Sequence, residues 1–153
     1  MKLIVTRDYE SLSKAAAEMV RKEIEKKKDT VLGLATGSTP IGMYNELIRM
    51  HREEGLDFSR VVTFNLDEYV GIGYDDPNSY HYYMNANFFD HINISKNNVH
   101  IPDGNSENME ESCRLYDELI EKKGGIDLQI LGIGANGHIG FNEPGEELYV
   151  GTC

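Results

Sequence analysis

Short apolar runs alternate with stretches of helical periodicity along most of the chain. A short continuous apolar run is typical of a strand that is buried on both faces. The runs predict β-strands at residues 2–5, 31–34, 61–64, 99–101 and 128–133. Between them, apolar side chains recur at every third or fourth position, which predicts amphipathic helices.

The predicted helices begin near residues 12, 41, 80 and 109. Ser79 is expected to cap the third helix. For the second helix we expect Thr39 as the N-cap and Pro40 as the first helical residue, because proline suits that position. The alternation of strands and helices predicts one α/β domain over residues 1–153, with a Rossmann-like open parallel sheet and helices on both faces.

Composition and charge narrow the classes of function. The 153 residues carry a formal net charge of −11, which argues against general binding to nucleic acid or to an anionic membrane. No apolar run is long enough to span a membrane, and residues 1–5 are too short for a signal sequence, so we expect a cytoplasmic protein. Cys113 and Cys153 have no metal-ligand spacing and are expected to be thiols; no metal site is predicted.

A Gly/Ser/Thr loop at residues 35–40 joins a predicted strand to a predicted helix. Backbone N–H groups, hydroxyls and the positive end of the helix dipole converge at such a junction, which favours binding of an anion. The loop matches neither a Walker motif nor a dinucleotide fingerprint. A capped turn without a ligand would have the same local sequence.

Two acids, Asp67 and Glu68, follow the predicted strand at 61–64. In open α/β sheets, ligands bind at the carboxyl ends of the strands. One of the two could therefore be a base held in a cleft while the other is structural. The alternative is that both are ordinary surface acids.

The glycine-rich loop at residues 132–144 contains Asn136, His138 and Glu143. Glycines allow a sharp turn and leave space beside the chain. A carboxylate near a histidine can orient the imidazole, so this loop could hold an acid–base pair. The alternative is a glycine-rich turn with incidental polar residues.

Taken together, the segments 35–40, 62–69 and 132–144 strongly resemble the glucosamine-6-phosphate deaminase family. Residues 77–80 and 87–91 are similar to the same family. The resemblance extends from about residue 3 to residue 144 and includes the specific sequences Asp-Glu-Tyr and Gly-His-Ile-Gly-Phe-Asn-Glu-Pro.

The resemblance implies aldose–ketose isomerisation with deamination, in which glucosamine 6-phosphate and water give fructose 6-phosphate and ammonia without a metal or cofactor. By matched position, Asp67 would move the proton between C2 and C1, His138 would assist ring opening, and Glu143 would pair with His138. The residues that would hold the sugar phosphate are Gly37, Ser38, Thr39, Glu68 and Gly137. A homo-oligomer is possible; nucleic-acid and membrane partners are not expected.

The chain departs from the family at two points. Asn136 stands where some members have Asp, and it cannot act as a carboxylate, so we expect it to support His138. The family's chains also continue well beyond residue 153, so we expect a truncated sheet, weak stability and little or no activity. Two other functions stay open: a 6-phosphogluconolactonase-like hydrolase, and an inactive fragment that binds sugar phosphates.

Overall fold

The computed structural model describes residues 2–140, 142–145 and 151–152. Phe141 of the glycine-rich loop and Cys153 lie outside the described residues. The helices are α1 (Tyr9–Lys26), α2 (Ile41–Glu54), α3 (Tyr80–Asn87) and α4 (Met109–Lys122), and two short 3₁₀ helices cover Phe89–His91 and Lys96–Asn98. The strands are β1 (Val31–Leu34), β2 (Val62–Asn65), β3 (Val99–His100) and β4 (Leu128–Gln129).

The four strands form one parallel sheet in the order β3-β2-β1-β4. The chain moves outward from β1 through β2 to β3, and then returns to place β4 on the other side of β1. Strand order therefore reverses between β1 and β4, which creates the crevice where open α/β sheets bind ligands. The predicted α/β fold with a parallel sheet is confirmed.

Apolar side chains cover both faces of the sheet. Leu32 and Leu34 of β1 belong to a core that also contains residues of α1, α2 and α3. Val31 belongs to a second cluster, on the α4 side, in which Tyr116 and Leu119 pack from α4. The expected helices on both faces are present, although the α4 side contains fewer fully buried residues.

Two helix starts differ from the predicted ones. Helix α1 begins earlier, at Tyr9, because the Asp8 side chain accepts a hydrogen bond from the Ser11 amide. The predicted N-cap of α2 is wrong: Pro40 is the cap, and no side chain makes a capping hydrogen bond there. The first amides of α2 are consequently not satisfied by a Thr39 hydroxyl.

Two predicted strands are wrong in extent. Residues 2–5 form no strand, and Leu3 and Val5 are 79% and 83% exposed, because no described segment pairs with them. Of the predicted strand at 128–133, only Leu128–Gln129 pairs with β1, whereas Ile133 forms an isolated antiparallel bridge with Ile139 and is 75% exposed. This strand lies at the edge of the described sheet, where one side has no neighbour. None of the helices in the described ranges is both long and apolar enough to cross a membrane.

Candidate active site

A cavity of about 800 Å³ opens at the carboxyl ends of β1, β2 and β4. The strand order explains its position, because the loops that follow β1 and β4 separate at the reversal point. Its lining includes Thr36, Thr39, Asp67, Glu68 and His138. All three segments singled out in the sequence therefore contribute to one cavity.

Asp67 is a partly buried carboxylate that follows the end of β2. No described residue makes a hydrogen bond to its side chain. Burial, followed by the negative charge of Glu68, raises the pKa of Asp67 to about 6. A carboxylate with a raised pKa and unused acceptor oxygens has the properties of a general base.

Glu68 has the opposite environment. Its side chain is 1% exposed, and its oxygens accept hydrogen bonds from the amides of Tyr69, Tyr80 and His81 at 2.8–2.9 Å. The His81 ring Nδ1 contacts the same carboxylate at 2.7 Å. Burial opposes ionisation of Glu68, but the hydrogen bonds from Tyr80 and His81 outweigh it and lower its pKa. This bonding pattern favours a positioning role, in which Glu68 ties the β2 loop to the start of α3.

The glycine-rich loop folds back on itself after β4. The Gly134 amide donates to the His138 carbonyl at 2.9 Å, and the Gly137 amide donates to the Gly134 carbonyl at 2.9 Å. The His138 ring lies directly over Gly134, where a Cβ atom would be 2.2 Å from the imidazole. Gly134 therefore leaves the space that the histidine occupies.

Asn136 links Glu143 to His138. Its Nδ2 donates to Glu143 Oε2 at 2.6 Å, and its Oδ1 lies 2.7 Å from His138 Nδ1. A carboxylate only accepts hydrogen bonds, so Glu143 determines which way the Asn136 amide points. The oxygen of Asn136 then faces Nδ1, which must carry the proton, and Nε2 is the nitrogen left to accept a substrate proton. Glu143 thus reaches His138 through Asn136, not by the direct pairing expected from the sequence.

The loop after β1 presents its backbone to solvent. Gly37, Ser38 and Thr39 are exposed, and their amides donate no hydrogen bond within the described part of the chain. Thr36 and Thr39 line the cavity, whereas Gly37 and Ser38 lie beside it. The amides at this junction are available to an anion.

Hydroxyl groups around this loop were not anticipated from the sequence. Tyr9, Tyr44 and Tyr83 each donate to a carbonyl of residues 35–39. Helical spacing places Tyr44 and Tyr83 on apolar faces but gives no sign of where each hydroxyl points, and Tyr9 precedes the predicted start of its helix. Within the described residues, no three His, Cys, Asp or Glu side chains lie together in a way that could hold a metal ion.

The chain is similar to known proteins over nearly its whole length. Residues 7–141 match the family model of glucosamine-6-phosphate isomerases and 6-phosphogluconolactonases. The glucosamine-6-phosphate deaminase of Thermoanaerobacter sp. strain X514 is 64% identical over 152 residues, which are 99% of this chain and 60% of that protein. The corresponding enzyme of Clostridium perfringens strain SM101 is 61% identical over 99% of this chain and 63% of its own length.

Solved structures give the same relationship. A monomeric glucosamine-6-phosphate deaminase superposes with a TM-score of 0.92 at 52% identity, over 96% of this chain and 61% of that one. The 6-phosphogluconolactonase of Plasmodium vivax is more distant, with a TM-score of 0.72 and 26% identity over 91% of this chain and 50% of the other. The chain spans about three fifths of the length of the deaminases that it matches.

Proposed function

Because this chain belongs to the family of glucosamine-6-phosphate isomerases and 6-phosphogluconolactonases, we propose that it carries the catalytic groups of a glucosamine-6-phosphate deaminase. The observation that carries the proposal is the position of Asp67. It is a partly buried carboxylate without hydrogen-bond partners among the described residues, and it lines the same cavity as His138. A proton-transfer base and a ring-opening group are the two functions that the reaction requires.

The reaction begins with opening of the sugar ring at His138. The Nε2 atom accepts the proton of the C1 hydroxyl, and a proton passes to the ring oxygen as the ring opens to the aldehyde. Asn136 holds Nδ1 protonated and Glu143 holds Asn136, so the reactive nitrogen is defined before substrate binds. This arrangement makes Asn136 and Glu143 positioning residues for His138.

Asp67 then moves the proton that converts aldose to ketose. Its carboxylate removes the hydrogen from C2, which carries the amino group, and an enolamine forms between C1 and C2. Return of the proton to C1 leaves an imine at C2. Water adds to the imine and ammonia leaves, which gives fructose 6-phosphate and balances the substrate plus one water molecule. The reaction is a hydrolytic deamination that needs side chains and water.

The phosphate of the substrate is assigned to the loop after β1. The exposed amides of Gly37, Ser38 and Thr39 can donate to phosphate oxygens, and this binding energy positions C1 and C2 at Asp67. Gly137 lies in the turn beside His138, its amide donates to the Gly134 carbonyl, and its contact with the sugar stays a prediction. Substrate binding by Glu68, the cytoplasmic location and the oligomeric state stay predictions.

Product analysis tests this assignment. The chain is incubated with glucosamine 6-phosphate, and ammonia and fructose 6-phosphate are measured together, with 6-phosphogluconolactone as the competing substrate. We expect the two deamination products in equal amounts and no lactone hydrolysis above the uncatalysed rate. Lactone hydrolysis without ammonia release would favour the lactonase assignment, and hexitol phosphate binding without turnover of either substrate would favour a binding fragment.

A further inference from the structure

Three tyrosine hydroxyls from three different helices converge on the loop after β1. They contact four of the five carbonyl oxygens of residues 35–39: each hydroxyl donates to one carbonyl, and the Tyr9 hydroxyl also lies near a second. The donors are Tyr9 of α1, Tyr44 of α2 and Tyr83 of α3. The loop has no side-chain cap of its own at the start of α2, so these hydroxyls are the groups that fix its backbone.

Tyr9 joins the loop to the first turn of α2. Its hydroxyl donates to the Thr39 carbonyl at 2.9 Å, lies 3.3 Å from the Ser38 carbonyl, and accepts from the Gly42 amide at 2.9 Å. The approach is close: a Cβ atom on Gly42 would be 2.9 Å from the Tyr9 ring and 2.2 Å from Ser13 Oγ. The Tyr9 hydroxyl therefore satisfies one of the first amides of α2 from outside the helix.

Tyr83 and Tyr44 hold the preceding part of the loop. Tyr83 donates to the Gly37 carbonyl at 2.5 Å, and Tyr44 donates to the Ala35 carbonyl at 2.6 Å. Burial, followed by the nearby Tyr9, raises the pKa of Tyr83 to about 12, so the hydroxyl is a donor at neutral pH. Tyr44 is fully buried and stacks on Phe88, so its role cannot be separated from the core.

A carbonyl that is held on one side directs the next amide to the other side. The peptide group is planar and trans, so C=O of one residue and N–H of the next point in opposite directions. No described peptide bond is cis. The bond from Tyr83 to the Gly37 carbonyl therefore orients the Ser38 amide, and the contact of Tyr9 with the Ser38 carbonyl orients the Thr39 amide.

We propose that Tyr9 and Tyr83 are positioning residues that preorganise the loop amides for the phosphate group of the substrate. The hydroxyls keep carbonyl oxygens, which would repel an anion, on the side away from the amides of Ser38 and Thr39. Neither tyrosine needs to touch the substrate. This inference rests on the proposed function, because it assumes that the loop receives a sugar phosphate.

The test measures binding of glucitol 6-phosphate, an open-chain hexitol phosphate that cannot react, to the whole chain and to its Tyr9→Phe, Tyr83→Phe and Tyr82→Phe variants. Tyr82 is the matched control: it lies on α3 near Tyr83, is 47% exposed, and its hydroxyl makes no hydrogen bond among the described residues. Loss of one such hydrogen bond should weaken binding about three- to tenfold in Tyr9→Phe and in Tyr83→Phe. Tyr82→Phe should bind like the parent chain.

Amide NMR shifts of Ser38 and Thr39 during the same titration report where the phosphate binds. We expect them to move with glucitol 6-phosphate and not with unphosphorylated glucitol, and to move less in the two phenylalanine variants at equal ligand concentration. Circular dichroism of each variant shows that the compared proteins are folded.

Equal affinities for all four proteins, or unmoved Ser38 and Thr39 amides in the parent chain, would overturn the inference. The ammonia assay is scored separately. Binding that follows the expected order without ammonia release would refute the deaminase assignment while supporting the positioning role. Ammonia release together with equal affinities would support the deaminase assignment and refute the positioning role.

Discussion

The carboxylates of Asp67 and Glu68 are adjacent in sequence and occupy opposite environments. The Glu68 carboxylate accepts hydrogen bonds from three backbone amides and contacts the His81 ring, whereas the Asp67 side chain has no hydrogen-bond partner among the described residues. The same contrast raises the pKa of Asp67 to about 6 and lowers that of Glu68. Two acids whose pKa values are driven apart are suited to different roles, which supports the proposal that Asp67 is the base.

The pKa contrast can be measured without substrate. In a carboxyl ¹³C NMR titration of the chain, we expect Asp67 to titrate at about pH 6 and Glu68 below its ordinary value. The Asp67 signal is assigned by its loss in Asp67→Asn. This measurement avoids the phosphate of the substrate, which titrates at about pH 6 as well. Titration of both residues at about pH 4 would mean that their environments do not differ.

Asp67→Asn should stabilise the chain at neutral pH. The pKa of Asp67 is about 6 in the folded protein, above the ordinary 3.8. The contribution of Asp67 to folding stability is therefore complete below pH 3.8 and is lost as pH rises through about 6. The asparagine does not ionise, so the variant does not lose this contribution. Its free energy of unfolding should exceed that of the parent chain by about 1–2 kcal/mol at about pH 7.5, after allowance for partial exposure, and by almost nothing at about pH 4.

Urea unfolding at the two pH values measures this difference. Asp75→Asn is the control. Because Asp75 is an exposed carboxylate, its replacement should change the free energy of unfolding little at either pH value. An equal gain for Asp67→Asn at both pH values would contradict the assigned pKa.

Glu68→Gln should destabilise the junction of the β2 loop with α3. Each Glu68 oxygen faces two donors, so an amide nitrogen placed at either position would leave donors unsatisfied. We expect a loss of about 1–3 kcal/mol in urea unfolding. Glu53→Gln removes an exposed partner of Arg49 and should cost less than about 1 kcal/mol. Equal effects of the two variants would mean that Glu68 is not anchored as described.

Asn136→Leu should disconnect His138 from Glu143. The variant keeps the approximate size of the side chain and loses both hydrogen bonds, so the rate of ammonia release should fall by about tenfold or more. Imidazole ¹⁵N shifts should change from one tautomer, protonated at Nδ1, to a mixture. Glu143→Gln is the milder change, because its amide oxygen can still accept from Asn136 although its amide nitrogen can also donate, and it should lower the rate less than Asn136→Leu. A single unchanged tautomer in Asn136→Leu would refute the link.

Gly104→Ala should disturb the loop that carries the two acids. A Cβ atom at Gly104 would be 2.0 Å from the Tyr69 carbonyl oxygen, which is backbone and cannot rotate away. The expected cost is about 1–3 kcal/mol in thermal or urea unfolding. At Gly73 the nearest atom is the Asn105 Nδ2 at 4.0 Å, so Gly73→Ala should change stability by less than about 0.5 kcal/mol. Similar costs for both would contradict the close approach.

Periodicity was sufficient to predict the parallel sheet and its helices, because burial on both faces leaves a direct signal in the sequence. Periodicity failed where a strand or a helix cap depends on contacts with residues elsewhere in the chain. Residues 2–5 are apolar enough for a strand, but no described neighbour pairs with them. Thr39 has the right chemistry for an N-cap, and Tyr9 from α1 binds its carbonyl while Pro40 takes the cap position.

Candidate site residues could be chosen from the sequence, whereas their arrangement could not. Asp67, Asn136, His138 and Glu143 could each be selected by residue type and family resemblance. That Asn136 stands between Glu143 and His138 depends on how the glycine-rich loop folds back, which no pattern in the sequence reports. The contact of the Tyr83 hydroxyl could not be predicted either, since helical spacing identifies a face and not the atom that a side chain reaches.

The most direct test of the deaminase assignment compares the chain with its Asp67→Asn variant in one assay. Ammonia and fructose 6-phosphate are measured over long incubations with glucosamine 6-phosphate, so that slow turnover is detected. We predict equal amounts of both products from the parent chain, even at a low rate, and a rate lower by about 10²-fold or more in Asp67→Asn. Equal rates of ammonia release in the two proteins would contradict the assignment of Asp67 as the catalytic base, and no ammonia from the parent chain would favour the inactive binding fragment over the deaminase.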